Sequence, residues 1–219
     1  MDKFGGRFST ELGISLEASD KDEVFKWFVA SMLFGARISE KIAVKTYQRF
    51  MENGLKSPDE IVKAGWDMLV EILDSGGYAR YDFKTATKLL EVMSNLKEWY
   101  KGDLNLLHAA ASDPRDFEVK IKQLGKGIGD VTASIFLREL RGVWRNADPP
   151  LQELAITAAH SLGLTSKRGK DEAGRLAILK ELQELWSRNQ VEGKSFVDFE
   201  AGLVRYGKDV VRKRRISRS

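Results

Sequence analysis

The sequence predicts an all-α fold from three observations: helical spacing of its apolar residues, the placement of its prolines and the lack of strand patterns. Phe25, Phe28, Val29, Met32 and Leu33 follow the i, i+3, i+4, i+7, i+8 pattern of one buried helix face. The same spacing recurs along the chain, and no alternating apolar pattern of five or more residues interrupts it. Short helices with tight connections are therefore expected.

The four prolines mark predicted helix starts. They stand in Ser57-Pro58, Asp113-Pro114 and Asp148-Pro149-Pro150, where a Ser or Asp caps the first N–H groups and Pro presets the first helical φ. In this interpretation Asp148 is an N-cap. Together with the apolar spacing, these starts predict helices at 22–35, 40–53, 58–64, 66–74, 82–99, 103–111, 114–123, 130–141, 149–163, 171–189 and 195–207.

Composition excludes several classes of protein. The 219 residues include no cysteine, so disulfides, thiolate zinc sites and cysteine-ligated iron–sulfur clusters are excluded. No run of 18 apolar residues is present, so we expect no membrane span. The N-terminus lacks the basic and then apolar profile of a secretory signal. The expected location is the cytoplasm, at the nucleoid if the source is prokaryotic.

Positive charge is concentrated at the C-terminus. The whole chain has a net charge of +4, whereas residues 207–219 contain six basic side chains and one acid, so the rest of the chain is close to neutral. A basic tail on a neutral body suits a polyanionic partner such as nucleic acid. The alternative interpretation is a solvated terminus with no partner.

A glycine-rich segment is the most informative part of the sequence. The run Leu124–Ala133, LGKGIGDVTA, joins two predicted helices and contains three glycines between them: Gly125, Gly127 and Gly129. Glycine permits positive φ and close approach of a second backbone. The N–H groups of this turn, with the positive end of the next helix, would form a cradle for one phosphate. The predicted DNA-binding residues here are Gly125, Lys126, Gly127, Ile128, Gly129 and Thr132.

Two other interpretations of this segment are weaker. A helix–helix corner that only needs glycine would be the favoured interpretation of a lone G-x-G, but here the full run Leu124–Ala133 lies between two amphipathic helices. A nucleotide-binding P-loop would need a preceding strand and a Gly-Lys-Ser/Thr sequence, and neither is present. We therefore favour a DNA contact that grips the backbone without reading the base sequence.

The glycine run and the carboxylate that follows it resemble a known family. Asp148 lies nineteen residues after Gly129. The turn, the helix at 130–141 and an Asp at this spacing resemble the helix-hairpin-helix DNA glycosylases of the endonuclease III and alkyladenine glycosylase type. The resemblance implies two helical lobes that flank a cleft. The lobes would be 1–36 with 144–219, and 37–143.

The resemblance extends upstream to two loops. Residues 32–39, MLFGARIS, match the place of the family's minor-groove loop, and Arg37 would fill the gap that a flipped base leaves. Residues 76–80, GGYAR, resemble the Gly-x-Tyr segment that enters the next helix, and they make Tyr78 a further candidate for DNA binding. In all, the similarity covers about residues 22–165.

The resemblance implies a monofunctional DNA glycosylase that removes a damaged or mismatched base from double-stranded DNA. Asp148 would be catalytic, stabilising the oxocarbenium-like sugar and orienting water. Family members that also cleave the backbone carry a Lys two residues after the last hairpin glycine, where this chain has Val131. One alternative is a lyase that uses Lys126, and another is a DNA-binding protein without catalysis.

Cofactors and assembly follow from the same resemblance. No catalytic metal, organic cofactor or iron–sulfur cluster is expected, although the family implies a monovalent cation bound by carbonyl oxygens of the hairpin. We expect a monomer that binds duplex DNA and no membrane. The two histidines, His108 and His160, have no partners at metal-ligand spacing and are expected to be structural.

Overall fold

The computed structural model of the chain describes residues 1, 3–169 and 171–212. Within these ranges the structure is helical and contains no strand, which confirms the all-α prediction. None of the helices in these ranges has the length and apolar character needed to cross a lipid bilayer. Most of the basic tail, residues 213–219, lies outside the described residues, so its predicted contact with a polyanion stays a prediction.

The helices follow the predicted positions closely. Those between residues 12 and 148 are α2 (Lys21–Phe34), α3 (Glu40–Glu52), α4 (Pro58–Gly76), α5 (Asp82–Tyr100), α6 (Leu104–Ala109), α7 (Pro114–Gln123) and α8 (Asp130–Glu139). The others are α1 (Phe8–Glu11), α9 (Glu153–Ser161), α10 (Glu172–Arg188) and α11 (Phe196–Tyr206), which a π-helical segment, Gly207–Arg212, follows. The short α1 was not predicted.

Local sequence explains most of these starts and one break. Ser57 and Asp113 cap α4 and α7 through their side-chain oxygens, and each helix has Pro in its first turn, as predicted. Gly65 has φ 74° and ψ 179°, which interrupts α4 with a kink. The two helices predicted on either side of residue 65 are therefore the two arms of α4.

The predicted helix at 149–163 begins in the wrong place. Helix α9 starts at Glu153, its N-cap is Gln152, and Pro149 and Pro150 lie outside it. A residue before proline is disfavoured in the α region, so Pro150 keeps Pro149 from opening a helix. Asp148 is therefore not an N-cap, and its carboxylate is engaged elsewhere.

The chain divides into two compact units, Leu12–Asp148 and the combination of Met1–Glu11 with Pro149–Ser219. This division differs from the predicted lobes at residues 12–36 and 144–148. The reason is packing, because α2 lies against α3 and α8 inside the larger unit. Trp27 of α2 donates its indole N–H to the Phe136 carbonyl of α8 at 3.1 Å.

The smaller unit is described by itself. Its core is formed by apolar side chains of α9, α10, α11 and the segment just before α9, and it includes Leu151, Ala155, Ile178 and Leu203. Its N-terminal segment is held by Arg205 of α11, which donates hydrogen bonds to the carbonyl oxygens of residues 4 and 6, pairs with Glu11 and stacks on the ring of Phe8. The larger unit carries all the predicted site residues.

Candidate functional site

The glycine turn, residues 125–129, joins α7 to α8. The turn is closed by the Ile128 N–H, which donates to the Gly125 carbonyl at 3.0 Å, and α8 opens with the Ala133 N–H donating to the Gly129 carbonyl. Asn95 of α5 anchors the end of α7, since its side-chain amide donates to the Leu124 carbonyl at 2.8 Å. The turn therefore has a defined backbone shape that its neighbours support.

None of the three glycines of the turn is needed for positive φ, contrary to the conformational part of the prediction, and two of them are needed for space. None of them is among the glycines with positive φ. A Cβ on Gly125 would lie 2.8 Å from Val92 Cγ2, and one on Gly127 would lie 3.0 Å from the Cβ of Lys88. These two glycines let α5 approach the turn.

Gly129 is different from the other two. It is exposed, it has an extended φ of −96°, and a Cβ built on it would meet no atom within 4 Å. No protein atom explains a glycine at this position. Any residue could adopt this backbone conformation, so the missing side chain has another reason. The open space at Gly129 would let a ligand approach the backbone closely.

The turn presents backbone donors. Within the described part of the chain, the N–H groups of Gly127 and Gly129 have no hydrogen-bond acceptor. Gly129 is the N-cap of α8 and has no side chain to satisfy the first N–H groups of that helix. Unpaired N–H groups at the positive end of a ten-residue helix favour an anion.

Charge around the turn is uneven. On the α7 side, Lys122 pairs with Glu118 and with Asp130, both at 2.5 Å, and the Lys122 side chain lowers the pKa of the Asp130 carboxyl through their hydrogen bond. Within the turn itself, Lys126 is exposed and forms no ion pair with the described residues. Lys126 therefore keeps a free positive charge, whereas Lys122 does not.

Two of the predicted contact residues have buried side chains. Ile128 packs in the core, and Thr132 is buried with its hydroxyl against Gly35, so closely that Gly35 could carry no Cβ. Only their backbone atoms can therefore contact a ligand in this structure. Thr132 serves instead to bring the end of α2 against the start of α8.

Tyr78 is also buried, and its side chain offers no surface to DNA in this structure. Its hydroxyl donates to the Leu33 carbonyl at 2.7 Å, and burial raises the pKa of the phenol. This bond holds the C-terminal end of α2, from which residues 35–39 lead into α3. Arg37 in that loop is exposed, as its predicted contact with DNA requires.

Asp148 forms an ion pair with Arg141. The guanidinium Nη1 of Arg141 donates to Asp148 Oδ1. The Arg141 side chain is only 7% exposed, whereas that of Asp148 is 51% exposed. Because Arg is always protonated and its fork is rigid, the pair holds one carboxylate oxygen in place while half of the side chain faces outward.

The segment that carries Asp148 is also held by the backbone and by rings. The N–H groups of Val143 and Trp144 donate to the Leu140 carbonyl. Trp144 stacks on His108 with ring centroids 4.7 Å apart, and the N–H of Asn146 donates to His108 Nε2 at 3.4 Å. Burial lowers the pKa of His108, which favours the neutral ring that accepts this bond. His108 is thus structural, as predicted.

The predicted site residues belong to two groups at opposite ends of α8. Near its first residue lie the glycine turn, Thr132 and the loop with Arg37. Just after its last residue lie Arg141 and, through it, Asp148. A ten-residue helix is about 15 Å long, so a few nucleotides of one DNA strand would span the two groups.

Three side chains near these groups were not predicted to matter. Arg141 binds Asp148, and Lys88 and Met32 line Gly127. The sequence holds no signal for Arg141, because it is one basic residue among 36. Lys88 lies in a predicted helix, but its contact with the turn depends on how α5 packs.

Metal ligands are a separate matter. Within the described ranges no three His, Asp or Glu side chains are grouped as a metal site would require. The carbonyl oxygens of Leu124 and Gly125 each accept one hydrogen bond, which leaves a lone pair on each. Carbonyl oxygens are suitable donors for a monovalent cation, so the turn fits the predicted cation.

No model of a protein family matches this chain, and no curated protein matches it. A functional conclusion therefore depends on the chemistry and placement of the residues themselves.

Proposed function

We propose that this protein is a monofunctional DNA glycosylase, which hydrolyses the bond between a damaged or mismatched base and its deoxyribose in duplex DNA. The observation that carries the proposal is the pair of features at the ends of α8. One end has unpaired backbone donors, and the other has a half-exposed carboxylate fixed by a buried arginine.

Binding is the first step of the proposed mechanism. The N–H groups of Gly127 and Gly129 bind one phosphate of the DNA, and Lys126 adds a positive charge beside it. The open space at Gly129 supports this step, because a phosphate needs to approach the backbone there. These contacts would act on any duplex, since phosphates carry no sequence information.

Base release is the second step. The target base leaves the stack, at a cost of about a few kcal/mol that a damaged or mismatched pair reduces. As the glycosidic bond breaks, positive charge develops on the sugar. The Asp148 carboxylate stabilises that charge and orients the water that attacks, and the water's proton leaves to the carboxylate or to solvent.

Arg141 is a positioning residue in this mechanism. It binds Oδ1 of Asp148 and leaves the other oxygen for the sugar and water. A fixed charge contributes more to a transition state than a mobile one, because no reorganisation is needed when the charge develops.

A monovalent cation, if bound, would be held by carbonyl oxygens of the turn, such as those of Leu124 and Gly125. A bound cation would supply positive charge beside the phosphate and no chemistry at the sugar. The residues of this chain perform the remaining steps.

The experiment is single-turnover release of bases from a panel of duplexes, each with one lesion or mismatch. The proposal predicts that at least one duplex loses its base and that Asp148→Asn releases that base at least about a hundredfold more slowly. Release from no duplex, with intact DNA binding, would favour the alternative of a DNA-binding protein without catalysis.

A lyase that uses Lys126 is the remaining alternative, and the exposed, unpaired amine favours it. Borohydride added during turnover would trap a covalent adduct if an amine attacked the sugar. The monofunctional proposal predicts no adduct, because Val131 stands where the lyase Lys would be. An adduct that disappears in Lys126→Gln would establish the lyase instead.

A further inference from the structure

We propose that the exposed face of α5 continues the DNA-binding surface beyond the glycine turn, and that Lys84 and Lys88 bind the backbone phosphates next to the one held by the turn. This inference deepens the proposed function and depends on it for the choice of partner. The partner is the phosphate backbone of DNA, bound without regard to base sequence.

Contact between α5 and the turn places Lys88 beside the phosphate site. A Cβ on Gly127 would lie 3.0 Å from the Lys88 Cβ and 3.7 Å from its Cδ, so the lysine stem covers that side of the turn. Lys88 is exposed. Its ammonium group extends from the edge of the turn into solvent, within reach of an anion bound nearby.

Helical spacing adds Lys84 to the same surface. Residues four apart lie on one helix face, so Lys84 stands one turn before Lys88, about 6 Å along the axis. Arg80, just before α5, is exposed as well. Two basic residues one helical turn apart on α5 therefore lead toward the glycine turn.

Ion pairing distinguishes this face from the other side of the turn. The lysines of α7 are neutralised, since Lys120 pairs with Asp116 and Lys122 pairs with Glu118 and Asp130. Lys84 and Lys88 have no ion pair among the described residues. The uncompensated charge next to the turn is thus on α5, and a polyanion would extend in that direction.

Two acidic residues lie near the same region. Asp130 pairs with Lys122, and the Glu91 side chain folds against Gly125, where a Cβ would lie 3.2 Å from the Glu91 Cδ. The Glu91 charge would oppose a phosphate close to Gly125. The exposed ring pair of Trp66 and Phe83, 5.3 Å apart, borders the far end of this face.

The test compares two double variants of equal charge. Lys84→Gln with Lys88→Gln removes the proposed contacts. Lys97→Gln with Lys101→Gln removes the same formal charge near the other end of α5, where Lys97 pairs with Asp59 and Lys101 follows the last helical residue. Binding to a lesion duplex and to an undamaged one is measured by fluorescence anisotropy between 50 and 200 mM salt. Circular dichroism and thermal unfolding check that each variant folds.

Each phosphate contact contributes about 0.9 to the slope of log K against log salt. We expect the slope of the first variant to be smaller in magnitude by about 1.8 for both duplexes. Its affinity should therefore fall about twelvefold less than that of the wild type when salt rises from 50 to 200 mM. The control should keep the slope of the wild type. An unchanged slope in the first variant, or an equal loss in the control, would overturn the inference.

The outcome is separable from that of the proposed function. If the wild type binds DNA but releases no base, and the double variant Lys84→Gln with Lys88→Gln shows the expected loss of slope, the α5 surface is supported and the glycosylase proposal fails. If the wild type releases a base and the double variant keeps the wild-type slope, the glycosylase proposal is supported and the α5 surface fails. A wild type that binds no DNA would overturn both.

Discussion

The two ends of α8 differ in what they expose, which is backbone N–H groups at one end and a fixed carboxylate at the other. At the N-terminal end, side chains are kept away: Gly127 and Gly129 leave N–H groups uncovered, and Gly129 has open space above it. At the C-terminal end, a side chain is held in place, because the buried Arg141 binds Asp148. The comparison teaches that one helix can carry a backbone site and a side-chain site that need different local sequences.

The largest effect should come from Asp148→Asn. Asn has a similar shape but no charge to stabilise the sugar, so base release should slow by about 3–5 kcal/mol of barrier, roughly a hundred- to several-thousand-fold. Duplex binding should persist. Single-turnover base release measures the first effect, and anisotropy measures the second.

Asp130→Asn is the matched control, since it removes a carboxylate from the other end of α8. Base release should stay within about threefold of the wild type, because an exposed charge at the turn has little effect on the sugar. A folded Asp148→Asn variant with wild-type release would show that the C-terminal end of α8 is not catalytic.

A smaller effect is expected for Arg141→Met. Loss of the guanidinium frees the carboxylate to turn, so base release should slow by about ten- to a hundredfold with little change in DNA affinity. Arg141→Lys should restore part of the rate, because it returns charge without the planar fork. Arg145→Met, at an exposed arginine nearby, is the control for charge. Equal rates in both Met variants would argue against positioning.

Gly129→Leu tests the N-terminal end. The backbone there is extended and open, so the variant should fold, while its side chain occupies the space that a phosphate needs. We expect affinity for all duplexes to fall about tenfold, which corresponds to about 1.4 kcal/mol of binding free energy. Base release from bound DNA should be nearly unchanged. Ala110→Leu, another exposed position, controls for the added side chain. Unaltered binding would make the turn a structural corner.

The smallest effect concerns His108, which supports the Asp148 segment. Because burial lowers its pKa in the folded protein, the unfolded chain takes up the proton first as the pH falls. The stability due to neutral His108 is thus present above its ordinary pKa of 6.5 and is lost below it. We expect Tm to fall between pH 7.5 and 5.5, and to fall less in His108→Phe, which keeps a ring against Trp144.

His160→Gln is the comparison for that measurement, because His160 is the second histidine and is exposed. The two histidine variants are compared at each pH, so that the effect of removing His108 is separated from the effect of removing a histidine in general. If His108→Phe and the wild type had the same dependence, the neutral ring would not contribute to holding the C-terminal end of α8.

The sequence by itself determined the helical class and most helix bounds. Those features depend on nearby residues: apolar spacing along one face, and caps such as Ser57 and Asp113 beside prolines. The exception, α9, also has a local reason, because two consecutive prolines delay a helix that a capping Asp appeared to start. The glycine turn was visible for the same reason, as three glycines lie within five residues.

Only the tertiary structure decided which site residues reach the surface and what holds them. Thr132 is buried because the end of α2 packs on the start of α8, and Tyr78 is buried with its hydroxyl on the Leu33 carbonyl of α2. Arg141 meets Asp148 through a turn that brings their side chains together. The same packing brings Lys88 of α5 against Gly127, 39 positions away along the chain. Contacts of this kind depend on the distances between packed helices, and a one-dimensional pattern carries no information about those distances.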